Sequence, residues 1–435
     1  MLSMFVYNLD LARRSLARSK GLTALMVIAI AMGIGASMTT LAIFRTLAAD
    51  PLPGRSEHLY RVQIDSHELA SYTPGEEPDQ QLTRYDAEAL LRDARGVRQA
   101  AMVGGMSALA PDNADPFFFP ARYTSADFFP MFGAPLRYGR AWSRADDEAR
   151  ERVVVISAEL NQRLYAGADS TGRTLRVNEH PMRIVGVLDD WVVAPHFYDL
   201  SSGAYRKLEG VFLPYSTSRE LKLPRQGSTT CWGEGYTVEP DALAAPCSYT
   251  QYWVQLDTPE QRRAYQDYLV RYSDAQRAAG RYARPTSVLL RPVMEWLAVR
   301  RVVPDDARLQ IWLALGFLLV CLINTIGLLL AKCLRRSGEI GVRRALGASR
   351  PAIFGQFLIE AGLIGVLGGA LGLLLAGVGV AVVQDDPQRI AQLLRVDWPL
   401  LAGAFMLQIV ATLAAGLLPA WRACQVTPAL QLKSQ

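Results

Sequence analysis

Few residues in this sequence have the types and spacing that catalysis requires. The histidines lie far apart, and none is at metal-ligand spacing from another: His58, His67, His180 and His196. The adjacent Asp189 and Asp190 suggest paired carboxylates for acid–base chemistry. Adjacent residues on a strand point to opposite faces, so we interpret this pair as a solvated strand end. The sequence therefore predicts no catalytic site and no metal site.

A nucleotide-binding loop is also missing. Such a loop places a lysine directly after a glycine, so that backbone N–H groups and the ammonium surround the phosphates. None of the lysines has that neighbour: Lys20, Lys207, Lys222, Lys332 and Lys433. We therefore expect no cofactor in this chain. If ATP and Mg²⁺ drive the protein, a partner ATPase binds them.

Four segments are long, apolar and free of charged residues: 21–44, 311–331, 361–383 and 399–420. A helix needs about 20 such residues to cross a hydrocarbon core of ~30 Å. Buried core helices are the weaker alternative, because soluble helices normally have a polar face. The predicted fold class is an α-helical membrane protein with four transmembrane helices, one plus three, and a large mixed α/β periplasmic domain.

Basic residues set the orientation of these helices. Arg13, Arg14, Arg18 and Lys20 precede the first span, and the loop 332–352 carries six basic residues against one acid. The turn 384–398 is more acidic and is therefore expected outside. Both termini are predicted to be cytosolic, and residues 48–308 form one extracytoplasmic insert. The net charge of +5 mostly reflects this topology and does not indicate nucleic-acid binding.

The first span has one alternative interpretation, because small residues at Ala48 and Ala49 follow it as in a cleavable signal peptide. Signal h-regions run about 7–15 residues, and this span is longer, so we favour an uncleaved signal anchor. Before it, Phe5, Leu9 and Leu16 fall on one helical face with arginines opposite, which favours a helix in the membrane interface over a plain basic tail.

The insert is predicted to mix short strands with helices. The predicted strands are 152–156, 182–187 and 211–214, and the predicted helices are 84–95, 158–165 and 259–279. The sequence from Asn178 to Pro181 indicates a hairpin tip. Cys231 and Cys247 lie in a Gly/Pro/Ser/Thr-rich stretch on the oxidising side, which favours a disulfide over two free thiols.

The loop between the second and third spans has more structure than a topology signal requires. A short helix is expected from Glu339 to Leu346, with Gly338 before it and Gly347 as its C-cap. Glu339 near its start and Arg343 and Arg344 near its end complement the helix dipole. Ile340, Val342, Ala345 and Leu346 give it an apolar side. A basic positive-inside loop without further function is the alternative.

The segment 339–349, reading EIGVRRALGAS, resembles the permease signature of the MacB/FtsX-type ABC transporter family, together with Gln356, Glu360 and the glycines that follow. Weaker matches extend along the chain at 8–16, 124–129, 139–140, 153–157, 172–175, 185–187 and 418–423. The order of these matches is that of the family's periplasmic core domain and membrane helices.

The resemblance implies a bacterial inner-membrane permease that acts as a dimer with two cytosolic ABC ATPase subunits. The second permease is another copy or a paralogue. Residues implied to couple to the ATPase are Glu339, Ile340, Gly341, Arg343, Arg344, Ala345, Leu346 and Gly347. The chain then divides into an interfacial helix 1–20, spans 21–47, 309–331, 353–383 and 399–420, a periplasmic core 48–308, a coupling loop 332–352, a turn 384–398 and a tail 421–435.

The third span carries Gly365, Gly368, Gly369 and Gly372, whose spacing lets a neighbouring helix approach closely. Packing within the chain and a dimer seam are both compatible with this pattern. Asn324, at mid-membrane, is expected to hydrogen-bond to another helix.

The leading functional hypothesis is substrate efflux by mechanotransmission, with a periplasmic adaptor and an outer-membrane exit duct as further partners. Lipoprotein release from the membrane is the second hypothesis, and control of a cell-wall hydrolase by a division-type permease is the third. A membrane-bound enzyme ranks last, because no catalytic constellation is present.

Overall fold

The computed structural model describes residues 2–111, 115–206, 208–384 and 398–424. The chain divides into two units. We call the first, Met1–Ala48 with Val303–Gln435, the membrane unit, and the second, Ala49–Val302, the external domain. Most of the predicted turn 384–398 and most of the predicted tail lie outside the described residues.

The helices are α1 (Leu2–Arg18), α2 (Lys20–Leu47), α3 (Arg84–Asp93), α4 (Phe128–Phe132), α5 (Arg144–Glu148), α6 (Ala158–Tyr165), α7 (Tyr215–Glu220), α8 (Pro259–Ala278), α9 (Val293–Val299), α10 (Asp305–Arg335), α11 (Ser337–Ala345), α12 (Arg350–Gln384) and α13 (Trp398–Cys424). Within the described part of the chain, three of them are long and apolar enough to cross a membrane: Lys20–Leu47, Asp305–Arg335 and Arg350–Val382. The fourth predicted span lies within α13, a helix of 27 residues.

The strands are β1 (Leu59–Ile64), β2 (Leu82–Thr83), β3 (Arg98–Ala110), β4 (Phe117–Thr124), β5 (Leu136–Gly139), β6 (Val153–Ile156), β7 (Thr174–Val177), β8 (His180–Leu188), β9 (Val211–Pro214), β10 (Arg225–Gln226), β11 (Thr230–Cys231), β12 (Cys247–Gln255) and β13 (Val288–Pro292). They form a sheet in the order β13-β1-β12-β3-β4-β9-β6-β8-β5. Of the other strands, β2 and β11 pair with β12, β10 pairs with β3, and β7 pairs with β3 and β8. The β4–β9 and β6–β8 pairs are parallel, so the sheet is mixed.

The predicted elements of the external domain are confirmed to within two residues at each end. The largest shift at the start of a strand is in β8, which begins at His180, two residues before the predicted start, because Asn178 and Glu179 both adopt positive φ and form a tight hairpin turn after β7. The helix α8 begins at a capping box formed by Thr258 and Gln261. Its buried residues Tyr265 and Leu269 join the hydrophobic core beneath β1 and β12.

A disulfide joins Cys231 to Cys247, which are directly opposed on β11 and β12. In the membrane unit, Cys321 and Cys333 are buried.

The amphipathic pattern of α1 is visible in the part of the helix whose side chains are described. Ala12 and Leu16 are buried, whereas Arg13 and Arg14 are mostly exposed and pair with Asp10. The side chains of Phe5 and Leu9 lie outside the description.

Candidate functional site

The helix α11 occupies nine residues between α10 and α12. Gly347 follows it with a φ of +100°, in the left-handed region that glycine adopts without strain. The backbone N–H of Ala348 donates to the carbonyl of Arg343 at 3.0 Å, which is the long bond of a Schellman motif. Gly347 therefore ends the helix, as a C-cap glycine does.

One face of α11 anchors it to the membrane helices. Ile340 is buried against Cys333 of α10, Ile353 and Phe357 of α12, and Ala420 of α13. Gly341 beside it is also buried. These contacts hold α11 against the ends of three longer helices.

The other face of α11 exposes apolar side chains. Val342 is 54% exposed and Leu346 is 83% exposed, and Ala345 between them is exposed too. Each residue turns the helix by about 100°, so these three lie on the side opposite Ile340. The single apolar side predicted from sequence is therefore wrong, because the apolar residues of α11 divide into an anchoring face and an outward face.

Arg343 links α11 to α12 as well as to its own helix. Its Nη2 donates to Glu339 Oε1 at 2.7 Å, one turn earlier, and its Nη1 donates to Gln356 Oε1 of α12 at 3.2 Å. Part of its hydrogen-bonding capacity is thus used inside the chain. The side chain of Arg344 lies outside the description.

A buried polar cluster lies next to this anchor and joins α1, α10 and α12. Lys332 pairs with Glu360, and Ser15 donates to the same Glu360 oxygen at 2.8 Å. Arg336 donates to the Ser15 hydroxyl and, at 3.0 Å, to the Ser15 carbonyl. We call Ser15, Lys332, Arg336 and Glu360 the helix-end cluster.

From the sequence alone, these residues are only charges of a loop and parts of a signature. A usable signal was present, since Lys332 directly ends one apolar span and Glu360 directly precedes the next. Two opposite charges in apolar surroundings need a partner, because an unpaired charge there is costly.

Glycines on α12 allow two other helices of the same chain to pack closely. A Cβ added at Gly368 would lie 2.6 Å from Ile30 Cγ2, and one at Gly372 would lie 2.8 Å from Ile34 Cβ, both on α2. A Cβ at Gly365 would lie 2.9 Å from Thr412 Cβ on α13. Gly369 is buried. At the first three positions, the glycines serve packing within the chain.

Asn324 lies on the exposed side of α10. Its predicted hydrogen bond to another helix is not formed with any residue that the structure describes. The amide therefore points away from the helices of its own chain, among exposed apolar neighbours such as Val320 and Ile323.

The external domain contains a buried ionic network that the sequence analysis also missed. Arg122 donates to Glu209 at 3.0 Å and pairs with Asp199 at 2.8 Å, with all three side chains fully buried. His196 lies between Arg206, whose Nε donates to Nδ1 at 3.0 Å, and Glu209, whose Oε2 is 3.3 Å from Nε2. This arrangement suits a neutral imidazole.

The charges of this network shift its pKa values. Burial lowers the pKa of His196, an effect that Glu209 opposes. Burial tends to raise the pKa of Glu209, but Arg122, His196 and Arg206 hold it well below its usual range. The network ties the segment that carries His196 and Asp199 to β4, and we assign it a structural role.

The remaining candidates for chemistry are dispersed. Asp189 pairs with Arg137 at 2.6 Å on the surface, as a solvated strand end does. His67 stacks on Trp232 with ring centroids 4.1 Å apart. In the described ranges of the chain, no three His, Cys, Asp or Glu side chains are placed to hold a metal ion.

Two family models match this sequence. The model of the MacB-like periplasmic core domain matches residues 23–272, and that of the FtsX-like permease C-terminal matches residues 311–428. Together they account for the external domain and for the helices that follow it.

Curated relatives match most of this chain. The macrolide export ATP-binding/permease protein MacB of Salmonella paratyphi A is 25% identical over 434 residues, which are 98% of this chain and 60% of the relative. MacB of Escherichia coli K12 is 24% identical over 378 residues, 86% of this chain and 52% of the relative. The chain thus spans 60% or less of the length of these relatives.

Among solved structures, the periplasmic region of MacB from Actinobacillus actinomycetemcomitans covers 58% of this chain and 96% of its own, with 14% identity and a TM-score of 0.37. The extracellular domain of the ABC-type transporter YknZ from Gram-positive bacteria covers 54% and 99%, with 11% identity and a TM-score of 0.35. The assignment rests on the family models, which match more than half of the sequence: the chain belongs to the family of ABC transporter permeases with a MacB-like periplasmic core domain and an FtsX-like permease C-terminal domain.

Proposed function

We propose that this chain is the transmembrane permease subunit of a MacB-like ABC transporter. It relays an ATP-driven conformational change from a separate cytosolic ATPase to the external domain, which extrudes the substrate. The observation that carries the proposal is the outward face of α11, where Val342 and Leu346 are exposed on a helix whose other face is fixed.

The proposal assigns ATP hydrolysis to a cytosolic ABC ATPase that acts together with this permease. The curated relatives are named as ATP-binding/permease proteins, and the chain spans 60% or less of their length. No lysine follows a glycine, so no phosphate-binding loop is present in the sequence. In our proposal, ATP and Mg²⁺ bind to the separate subunit.

The outward face of α11 suits a short socket on such a subunit. Burying an exposed Leu or Val side chain contributes roughly 1.5–3 kcal/mol. Two adjacent apolar side chains therefore supply a small but useful docking energy, and Glu339 and Arg343, each partly exposed, flank them.

The contacts of α11 support a relay of movement. Ile340 packs against α10, α12 and α13, and Arg343 is bonded to Gln356. The helix-end cluster ties α1 to α10 and α12. A displacement of α11 would therefore move these helices together. The external domain is inserted in the chain between α2 and α10, so movement of either helix reaches it through the polypeptide itself.

We further propose a bacterial inner-membrane location and a second permease copy. An unpartnered amide facing hydrocarbon is costly, and the exposed Asn324 would be satisfied by the same residue of a second chain. An adaptor and an outer-membrane duct belong to the efflux function; a bound lipoprotein or a hydrolase would indicate the two alternative functions.

The docking face is tested by the double variant Val342→Asp/Leu346→Asp in the full chain. The wild-type chain is purified from its own membranes with the ABC ATPase that accompanies it. We expect the double variant to retain at most one tenth of that ATPase while its membrane insertion and thermal unfolding stay unchanged.

The matched control is Phe118→Asp, since Phe118 is 73% exposed in the external domain. This control should retain the ATPase in full. Equal retention by the double variant would refute α11 as the docking element. A wild-type chain without any ABC ATPase would refute the proposed function.

A further inference from the structure

The external domain has an open cavity of 660 Å³ beside α3, α5 and α7. Such a volume suits a small organic ligand, since most ligand pockets measure roughly 300–1,000 Å³. Its lining combines apolar residues, including Leu91, Ala94 and Ala126, with charged ones.

Arg219 lines this cavity with an incompletely bonded guanidinium. Its side chain is 2% exposed, and Nη1 donates to Asp241 Oδ1 at 3.0 Å. Its Nη2 has no hydrogen-bond partner in the part of the chain that the structure describes. Buried polar groups are almost always hydrogen-bonded, so this nitrogen is an unsatisfied donor that could bind an acceptor.

Tyr215, one helical turn earlier on α7, lines the same cavity and repeats the pattern. The residue is 3% exposed, and its hydroxyl has no partner of hydrogen-bonding geometry among the described residues. The Thr250 hydroxyl adjoins it, and a hydrogen bond between the two hydroxyls would use only one of their two protons. Two residues of one helix, each with an unbonded buried donor, thus line one cavity.

The charges around Arg219 favour an anion. Arg219 and Arg225 share the single carboxylate of Asp241, the latter at 2.6 Å. Arg84 donates to the Asp241 carbonyl at 2.7 Å but is itself neutralised by Glu88 at 2.6 Å. Asp241 therefore balances only one of the two guanidinium charges of Arg219 and Arg225.

The acidic residues of the lining do not cancel this charge. Asp127 pairs with Arg144, and Glu220 lies 3.6 Å from Arg150. Asp147 accepts hydrogen bonds from the backbone N–H of Ser216 at 3.2 Å and from the Ser216 hydroxyl at 2.5 Å. Glu148 is exposed, where solvent screens its charge.

We propose that this cavity binds a small organic oxyanion, a carboxylate or a phosphate, which accepts hydrogen bonds from Arg219 Nη2 and the Tyr215 hydroxyl. A charged acceptor forms the stronger class of hydrogen bond with a guanidinium. The organic part of the ligand lies against Leu91, Ala94 and Ala126. The inference is independent of the transport function, because binding is measured without ATP or an ATPase.

The test uses three probes of similar size on the purified full-length chain in detergent: phenylacetate, phenyl phosphate and the neutral 2-phenylethanol. Isothermal titration calorimetry measures their affinities. We expect saturable binding of at least one anion, weakened at least tenfold by Arg219→Gln and about threefold by Tyr215→Phe. The preferred anion distinguishes a carboxylate from a phosphate ligand, and 2-phenylethanol should show no dependence on Arg219.

Tyr249→Phe is the matched control. Its hydroxyl is also buried and unpartnered in the described chain, but Tyr249 does not line the cavity. If Arg219→Gln does not fold, the anion affinities of Tyr215→Phe and Tyr249→Phe are compared instead. The proposal predicts weaker binding in Tyr215→Phe only. Failure of both anions to bind would overturn the proposal, as would equal affinities in the two tyrosine variants.

Discussion

Lys332 and Glu360 form a buried ion pair between α10 and α12, with side chains 4% and 1% exposed. Ser15 of α1 donates to the same carboxylate, so one acidic side chain holds three helices. The pair lies beside the anchor of α11. It therefore occupies the position where a force applied to α11 would be distributed among the membrane helices.

Removing one partner of this pair should be far more harmful than removing both. Glu360→Ala leaves Lys332 as an unpaired buried cation, and we expect a loss of about 3–5 kcal/mol in stability. The double variant Lys332→Met/Glu360→Leu replaces both charges with apolar groups and should lose much less. Thermal unfolding in detergent measures the difference.

The exposed pair Glu339 and Arg343 provides the control, since Glu339→Ala should cost at most about 0.5 kcal/mol. If the double variant were as unstable as Glu360→Ala, the ion pair would owe its effect to shape and not to charge.

The sequence predicted most of the fold because its strongest signals are local. Apolar length identified the membrane helices, and alternation with turn residues located β6, β8 and β9 in the external domain. The order of strands in the sheet was not predicted, since β1, β12 and β3 pair across large sequence separations. Pattern within one segment does not specify such partners.

The helix α11 was predicted in position but not in detail. Gly347 gave its end, whereas it begins at Ser337, two residues before the predicted Glu339, so that Gly338 lies within the helix. The opposite orientations of Ile340 and Leu346 depend on which neighbours are present. The buried network around Arg122 and Glu209 could not be found from spacing, because its members lie on separate elements and charged residues are normally expected at the surface.

Replacement of Gly372 should loosen the packing of α12 on α2. A Cβ at this position would lie 2.8 Å from Ile34 Cβ and 3.1 Å from the Ala31 carbonyl oxygen. We expect Gly372→Ala to destabilise the chain by about 1–3 kcal/mol through overpacking. Thermal unfolding of the purified chain in detergent tests this.

Gly377→Ala, on the same helix, is the matched control, because a Cβ there meets nothing within 4 Å. It should be neutral or slightly stabilising, since alanine favours a helix over glycine by up to about 1 kcal/mol. Equal effects of the two changes would argue against close packing at Gly372.

The external domain should lose stability as the pH falls below 6.5. His196 has a pKa lowered by burial from its ordinary value of 6.5, so its neutral form favours the folded state. The stability that neutral His196 contributes is complete above pH 6.5, and it is lost as the pH falls through the lowered pKa of the folded state. Protonation at Nδ1 would also remove the hydrogen bond that Arg206 donates.

Asp199 and Glu209 affect the stability of the external domain in a lower pH range. Their pKa values are lowered from 3.8 and 4.5, because the arginine charges outweigh the effect of burial, so their share is lost only below about pH 4.5. His196→Gln should therefore flatten the dependence of stability on pH in the range just below pH 6.5. Melting temperatures of the wild-type chain and the variant, measured across this pH range, test the prediction. If the melting temperature of the variant depended on pH as steeply as that of the wild type, His196 would not be the group responsible.

Asn324 should contribute to association between two copies of this chain. Its side chain is exposed on α10, and an amide in hydrocarbon is best satisfied by another amide across a helix interface. Such hydrogen bonds average about 0.6 kcal/mol and reach about 1–2 kcal/mol in model peptides, so we expect Asn324→Leu to weaken dimerisation by up to about tenfold. Single-molecule photobleaching of the labelled chain in lipid vesicles counts the copies at a series of dilutions.

Leu374→Ala, at a 69% exposed position on α12, is the control and should leave the dimer fraction unchanged. An unchanged dimer fraction in Asn324→Leu, with the same result for the control, would place the interface elsewhere and leave the exposed amide facing lipid.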